Sequence, residues 1–170
     1  MKSHIQKKKV IFITGASSGF GKVCAEYLNE KGHIVYGSSR KISTQQFNYN
    51  MVHLDINESG SVKSAVSHIL SIEKRIDVLI NNAGLAIAGA VEDTSLTELK
   101  AQLETNFFGA VRVCKEIIPV MRKNNYGYII NISSIAGLIA VPYQSAYSAS
   151  KFALEGFIES VRMEIKPLYD

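Results

Sequence analysis

A chain of 170 residues with 46% hydrophobic and 20% charged side chains suits one globular domain with its own core, and excludes a disordered or collagen-like polypeptide. The formal charge of +4 is local: Lys2, Lys7, Lys8 and Lys9 carry it, and the other 15 of the 19 basic residues balance the 15 acidic ones. A nucleic-acid binder would spread a basic face over its fold, so residues 1–9 are expected to form a solvated tail and residues 10–170 the domain. Nucleic acid is not an expected partner. No apolar run approaches the roughly 20 residues that cross a bilayer, and no apolar h-region follows the basic start, so neither a membrane partner nor a signal peptide is expected. Cys24 and Cys114 form no C-x-x-C, and the four histidines are scattered. Two free thiols, no metal site and a reducing, cytoplasmic location are the expectation.

In chain order, residues 10–14 are a short β-prone apolar run that enters the small, glycine-rich segment 15–21. Val23, Ala25, Tyr27 and Leu28 suggest a helix that Gly32 stops. Strands are predicted over 34–38 and 51–54. The polar connection 40–50 is barely long enough for a crossover, so any helix there is stunted. Apolar residues at Val62, Ala65, Val66, Ile69 and Leu70 predict a helix over 58–72. A fourth strand covers 76–80. Helical periodicity runs through 96–121, with a break expected near Ala101. After a turn at 124–127 comes a fifth strand, 128–133, and a final helix, 145–165. Strands alternating with helices imply βαβ crossovers, and near-continuous apolar strands imply a parallel sheet covered on both faces.

The segment T-G-A-S-S-G-F-G (14–21) lies between the first strand and first helix. At such a junction the first helical N–H groups lack partners and, with the helix dipole, favour an anion. Glycines let the backbone approach a pyrophosphate closely. The spacing Gly15, Gly19, Gly21 departs from the common G-x-G-x-x-G fingerprint. Nucleotide binding is the expectation, against the plainer alternative of a tight turn. The ribose end of a dinucleotide should meet the tip of the second strand. An acid there would select NAD; this chain has Ser39 and Arg40, and an arginine fork suits a 2′-phosphate, so NADP is favoured over NAD.

Tyr147 and Lys151 share a helix face at a spacing of four. Tyr27 and Lys31 have the same spacing, so the interval alone identifies nothing. A free tyrosine hydroxyl is a poor base at neutral pH, and lowering its pKa by three units takes about 4 kcal/mol. A cation about 4 Å away contributes about 1 kcal/mol in water and about 4 at an effective dielectric near 20. The chemistry therefore needs a partly dehydrated site.

Taken in order, T-G-A-S-S-G-F-G, N-N-A-G (81–84), Asn106, N-I-S-S-I-A-G (131–137) and Y-S-A-S-K (147–151) resemble the short-chain dehydrogenase/reductase family. The resemblance covers residues 9–167. It implies an α/β fold, a Rossmann-type doubly wound parallel sheet. It also implies hydride transfer between NADP(H) and a small-molecule carbonyl or secondary alcohol. Carried over by motif, Tyr147 is the general acid/base, Lys151 its activator and a ribose ligand, and Ser134 steadies the substrate oxygen. Asn106 holds a water in a proton relay. Gly15, Ser17, Ser18, Gly19, Phe20 and Gly21 match the phosphate loop, Asp55 and Ile56 flank the adenine, and Asn82, Ala83 and Gly84 run along the cofactor. Pleating lets only one of Ser133 and Ser134 face the cleft, and the family spacing selects Ser134. Tyr27 and Lys31 are expected to be half-exposed helix residues.

The family's last strands and substrate lid have no counterpart in the sequence. One sheet edge is therefore expected to be uncovered. A non-catalytic dinucleotide-binding regulatory or scaffold protein is the alternative reading. The helices 96–121 and 145–165 resemble those that pair between subunits, which implies a homodimer or homotetramer. Apolar loops at 86–90 and 135–143 hint at a lipophilic substrate.

Overall fold

In the computed structural model the described residues are 8–41 and 46–165. Strand β1 (Val10–Ile13) leads to helix α1 (Gly19–Glu30), then β2 (Ile34–Ser39), β3 (Asn50–His53) and α2 (Ser59–Glu73). Next come β4 (Val78–Asn81), α3 (Leu96–Leu103), a π-helical turn (Glu104–Phe108) and α4 (Gly109–Lys123). Strand β5 (Tyr128–Asn131), a 3₁₀ turn (Ile135–Gly137) and α5 (Ser145–Ile165) complete the order. The strands form one parallel sheet, β3-β2-β1-β4-β5.

Alternation along β1 divides the core. Val10 and Phe12 point to one face, with Leu79, Ile69, Val113 and Ile117 from β4, α2 and α4. Ile11 and Ile13 point to the other, with Val35, Ile80 and Ala25 of α1. A strand that buries both faces must be apolar at every position, which is why β1 reads V-I-F-I. From β1 the chain moves one way to β2 and β3, then returns to β4 and β5. The crevice of an open α/β sheet opens at this reversal, at the carboxyl ends of the strands.

Several expectations need correction. The break in 96–121 comes at Glu104–Phe108, not at Ala101, and α4 continues to Lys123 with Pro119 inside it. The widened turn brings Asn106 inward, where its side chain bonds to the segment after β4 and to α5. The fourth strand is shifted toward Asn81, and the fifth ends at Asn131, although the Ile132 N–H still donates to the Asn81 carbonyl at 2.8 Å. Covering of both faces fails at β5, an edge strand on which Tyr128 is 60% and Ile130 47% exposed. Lys9 does not belong to a loose tail: its ammonium donates to the Tyr126 hydroxyl at 2.5 Å, and its carbonyl accepts from Ile34. Residues 1–7 lie outside the described residues, as do 42–45 of the connection expected to hold a stunted helix. Among the described residues no helix is long and apolar enough to cross a membrane.

Candidate active site

The glycine segment is shaped by close packing. Gly15 has φ +65°, and a Cβ there would stand 2.9 Å from the Ala83 Cα. At Gly21 a Cβ would stand 2.3 Å from the Gly15 carbonyl oxygen and 2.4 Å from the Asn82 amide nitrogen. Those are fixed backbone and bonded groups: Asn82 Nδ2 donates to the carbonyls of Thr14 and Gly15 at 3.0 and 2.9 Å. The buried Thr14 hydroxyl accepts from the N–H groups of both Asn82 and Ala83. The glycine segment and the N-N-A-G segment, 67 residues apart, are thus one hydrogen-bonded unit. Gly21→Ala should cost about 1–3 kcal/mol of stability through overpacking. Thermal melting checks this, and a wild-type melting temperature would contradict it.

Around that unit the strand ends enclose a cleft of about 330 Å³. Gly15, Ser17 and Ser18 line it from β1, Ser39 and Arg40 from β2, Asp55 and Ile56 from β3, and Asn82, Ala83 and Gly84 from β4. The first turn of α1 holds no acidic side chain, so its unpaired N–H groups keep their attraction for an anion. Gly19, Phe20 and Gly21 do not line the cleft; Gly21 packs behind it, and the Phe20 side chain is 88% exposed. The cleft thus has a glycine cradle, helix N–H donors, an arginine at one tip and an acid at the next. Those features fit a dinucleotide.

Asn106, Ser134, Tyr147 and Lys151 stand outside this cleft's lining; Asn106 bonds directly to Leu85 of its wall, and through Ser150 to Tyr147. Asn106 is buried. Its Oδ1 accepts from the Leu85 N–H at 2.9 Å, and its Nδ2 donates to the Leu85 carbonyl at 2.9 Å and to Ser150 Oγ at 3.0 Å. Ser150 in turn donates to the Tyr147 carbonyl at 2.7 Å. Both amide hydrogens are spent, while Oδ1 keeps one lone pair beyond its bond to Leu85. Ser134 lies just past β5, where its Oγ accepts from the Ala136 N–H at 3.1 Å, and its hydroxyl proton has no acceptor among the described residues. Ser133 Oγ is buried without a partner among the described residues.

Lys151 is only 6% exposed, its Nζ donates to the Ile132 carbonyl at 2.8 Å, and it sits 5.7 Å from the Tyr147 ring centre. Burial pushes the Lys151 ammonium below its usual range, with the Glu155 carboxylate opposing. Its charge is therefore poorly solvated, the partly dehydrated condition that the proton chemistry needs. Lys31 also stands near a tyrosine ring, at 5.2 Å, but Tyr27 is 56% exposed and both residues lie on the surface. Burial, not spacing, separates the two pairs. The cysteines are a half-buried Cys24 and a buried Cys114, whose thiol is pushed up to about 11 by burial, with the Asn81 hydrogen bond opposing.

Sequence reasoning missed Ser38, Leu54, Asn57, Leu85 and Thr105 in the cleft wall, and Thr14 and Ser150 as supports. Thr14 and Ser150 lie inside motifs already singled out. Asn57 and Thr105 meet only through tertiary contact, Thr105 Oγ1 donating to Asn57 Oδ1 at 3.2 Å.

The short chain dehydrogenase family model matches residues 9–168. The chain is 52% identical over 161 residues to a 3-ketodihydrosphingosine reductase from Bacteroides thetaiotaomicron, covering 95% of this chain and 60% of that protein. Its structure superposes on a short-chain dehydrogenase from Streptomyces avermitilis with a TM-score of 0.87 and 35% identity, covering 94% of this chain and 62% of that one. ElxO with NADP bound gives a TM-score of 0.86 at 30% identity, covering 93% and 68% of the two chains. The chain therefore spans about 60% of the length of the curated relative it matches.

Proposed function

Because this chain belongs to the short-chain dehydrogenase/reductase family, we propose that it serves an NADP(H)-dependent reductase of a lipophilic ketone. The observation that carries this reading is the buried Lys151 ammonium one helical turn from Tyr147, beside a glycine-lined cleft. In this reading Gly15, Ser17 and Ser18 meet the phosphates, with the helix N–H groups behind them. Asp55 and Ile56 flank the adenine, and Asn82–Gly84 run along the dinucleotide. A reduced nicotinamide held in the cleft would supply hydride for the carbonyl carbon. The Tyr147 hydroxyl gives its proton to the carbonyl oxygen, and the free Ser134 proton donates to the same oxygen, an electrostatic contribution of a few kcal/mol. Lys151 keeps two N–H donors beyond its bond to Ile132. These face Tyr147 and the ribose, and its charge stabilises the phenolate left after proton transfer. In this reading Asn106 holds a water of the proton relay.

Arg40 at the β2 tip, with no acid beside it on that strand, supports a 2′-phosphate, and ElxO is a neighbour with NADP bound. Arg40→Leu should raise the Kd of NADPH about 10–100-fold, since charge-assisted hydrogen bonds contribute about 1.5–3 kcal/mol. The Kd of NADH should not change. Paired fluorescence titrations check this, and equal losses for both nucleotides would contradict it.

A long-chain ketone of the kind stated in the Bacteroides relative's name is the substrate class we favour. Ile135, Leu138, Ile139 and Tyr143 are 68, 70, 63 and 71% exposed beside Ser134 and Tyr147. The two apolar loops join where the Gly89 N–H donates to the Tyr143 carbonyl at 2.8 Å. Phe108 and Phe152, each 46% exposed, support a homodimer or homotetramer built on the helices that carry them. Free thiols agree with a reducing, cytoplasmic setting. The test is NADPH consumption with ketones of increasing chain length. Turnover that rises with chain length supports the reading. NADPH binding without turnover of any ketone replaces it with the non-catalytic nucleotide-binding alternative.

A further inference from the structure

Gln102 is fully buried on α3. Its Oε1 accepts a short hydrogen bond from the Ile87 N–H. Its Nε2 has no partner among the described residues. A buried donor left unpaired carries a desolvation cost, so the residue is not explained by stability. Four positions on, Asn106 binds both the N–H and the carbonyl of Leu85. Leu85 and Ile87 alternate along the segment that leaves N-N-A-G, and they take bonds from successive inward side chains of the 102–106 region. The two amides thus hold that irregular segment as a neighbouring strand would, at alternate residues. Beyond Ile87 the same segment reaches Gly89, whose N–H holds the carbonyl of Tyr143 in the other apolar loop.

We propose that Gln102 is a positioning residue. With Asn106 it sets the register of residues 85–89, and through Gly89 it sets the separation of the two apolar loops that face the substrate. Gln102 touches neither cofactor nor substrate in this assignment. Its effect should appear in substrate binding, and not in NADPH affinity. The kinetic part of the assignment rests on the reductase reading above; the structural part does not.

The test compares Gln102→Leu, which removes the acceptor, with Gln102→Glu, whose carboxyl is held neutral by burial and keeps an acceptor oxygen. Hydrogen exchange at the Ile87 amide should be about tenfold faster in Gln102→Leu and near wild type in Gln102→Glu. The melting temperature of Gln102→Leu should change little, because the variant removes the unpaired donor while it takes the acceptor from the Ile87 N–H. For a long-chain ketone, KM should rise about tenfold in Gln102→Leu with kcat within about twofold, Gln102→Glu should restore it, and the Kd of NADPH should not move. Unchanged Ile87 exchange would overturn the assignment. So would a fall in melting temperature, kcat and NADPH affinity together, the mark of a general packing role. If wild type turns over no ketone, the reductase reading has failed, and the exchange and melting data alone decide the role of Gln102.

Discussion

Tyr147→Phe is expected to lower ketone reduction about a thousandfold, while the Kd of NADPH stays within about threefold of wild type. The substitution removes one oxygen and nothing else. A positioned general acid contributes about 10²–10⁴-fold. In the proposed reaction Tyr147 is that acid, beside a cation that burial has stripped of much of its hydration, and a loss in the middle of that range is expected. The Lys151 anchor to the Ile132 carbonyl does not involve the phenol, so the cation should remain in place. The measurement is single-turnover reduction at saturating NADPH. Activity within about tenfold of wild type would show that another group delivers the proton.

Asn106→Leu is expected to destabilise the fold by about 3–5 kcal/mol, a fall of roughly 10 °C in melting temperature for a chain of this size. The side chain is 2% exposed and serves the Leu85 N–H, the Leu85 carbonyl and Ser150 Oγ together. Leucine fills a similar volume but leaves the Leu85 N–H and carbonyl without this partner, at about 1–3 kcal/mol for each group when buried, while Ser150 Oγ keeps its bond to the Tyr147 carbonyl. Ser150→Ala removes one of these bonds and should cost about 1 kcal/mol. Differential scanning calorimetry of both variants checks the ordering. A melting temperature within about 2 °C of wild type for Asn106→Leu would mean that the π-helical turn does not depend on these bonds.

The sheet was legible because parallel strands with two buried faces must be apolar throughout, and V-I-F-I at β1 and V-L-I-N at β4 carry that signature. The glycine cradle was legible because a missing Cβ leaves a mark in the sequence at Gly15 and Gly21. The ends of strands were less so: Thr14 and Ile132 keep ladder hydrogen bonds outside the regular strand, and boundaries of this kind shift by a residue or two. The helix break was misplaced because the bonds made within it are not local. Asn106 bonds to groups 21 and 44 residues away. Lys9 looked like tail because charge runs usually are; its partner Tyr126 lies 117 residues away. The pair Tyr147–Lys151 could not be told from Tyr27–Lys31 by spacing. Burial of Lys151 at 6% exposure separates them, and burial is a property of the fold.

The most direct measurement is the fate of deuterium from NADPH labelled at the transferring position of the nicotinamide, incubated with the protein and a long-chain ketone. The account predicts deuterium on the new carbinol carbon with wild type, and almost none with Tyr147→Phe in the same time. Label retained on the nucleotide by wild-type protein that binds NADPH would contradict it.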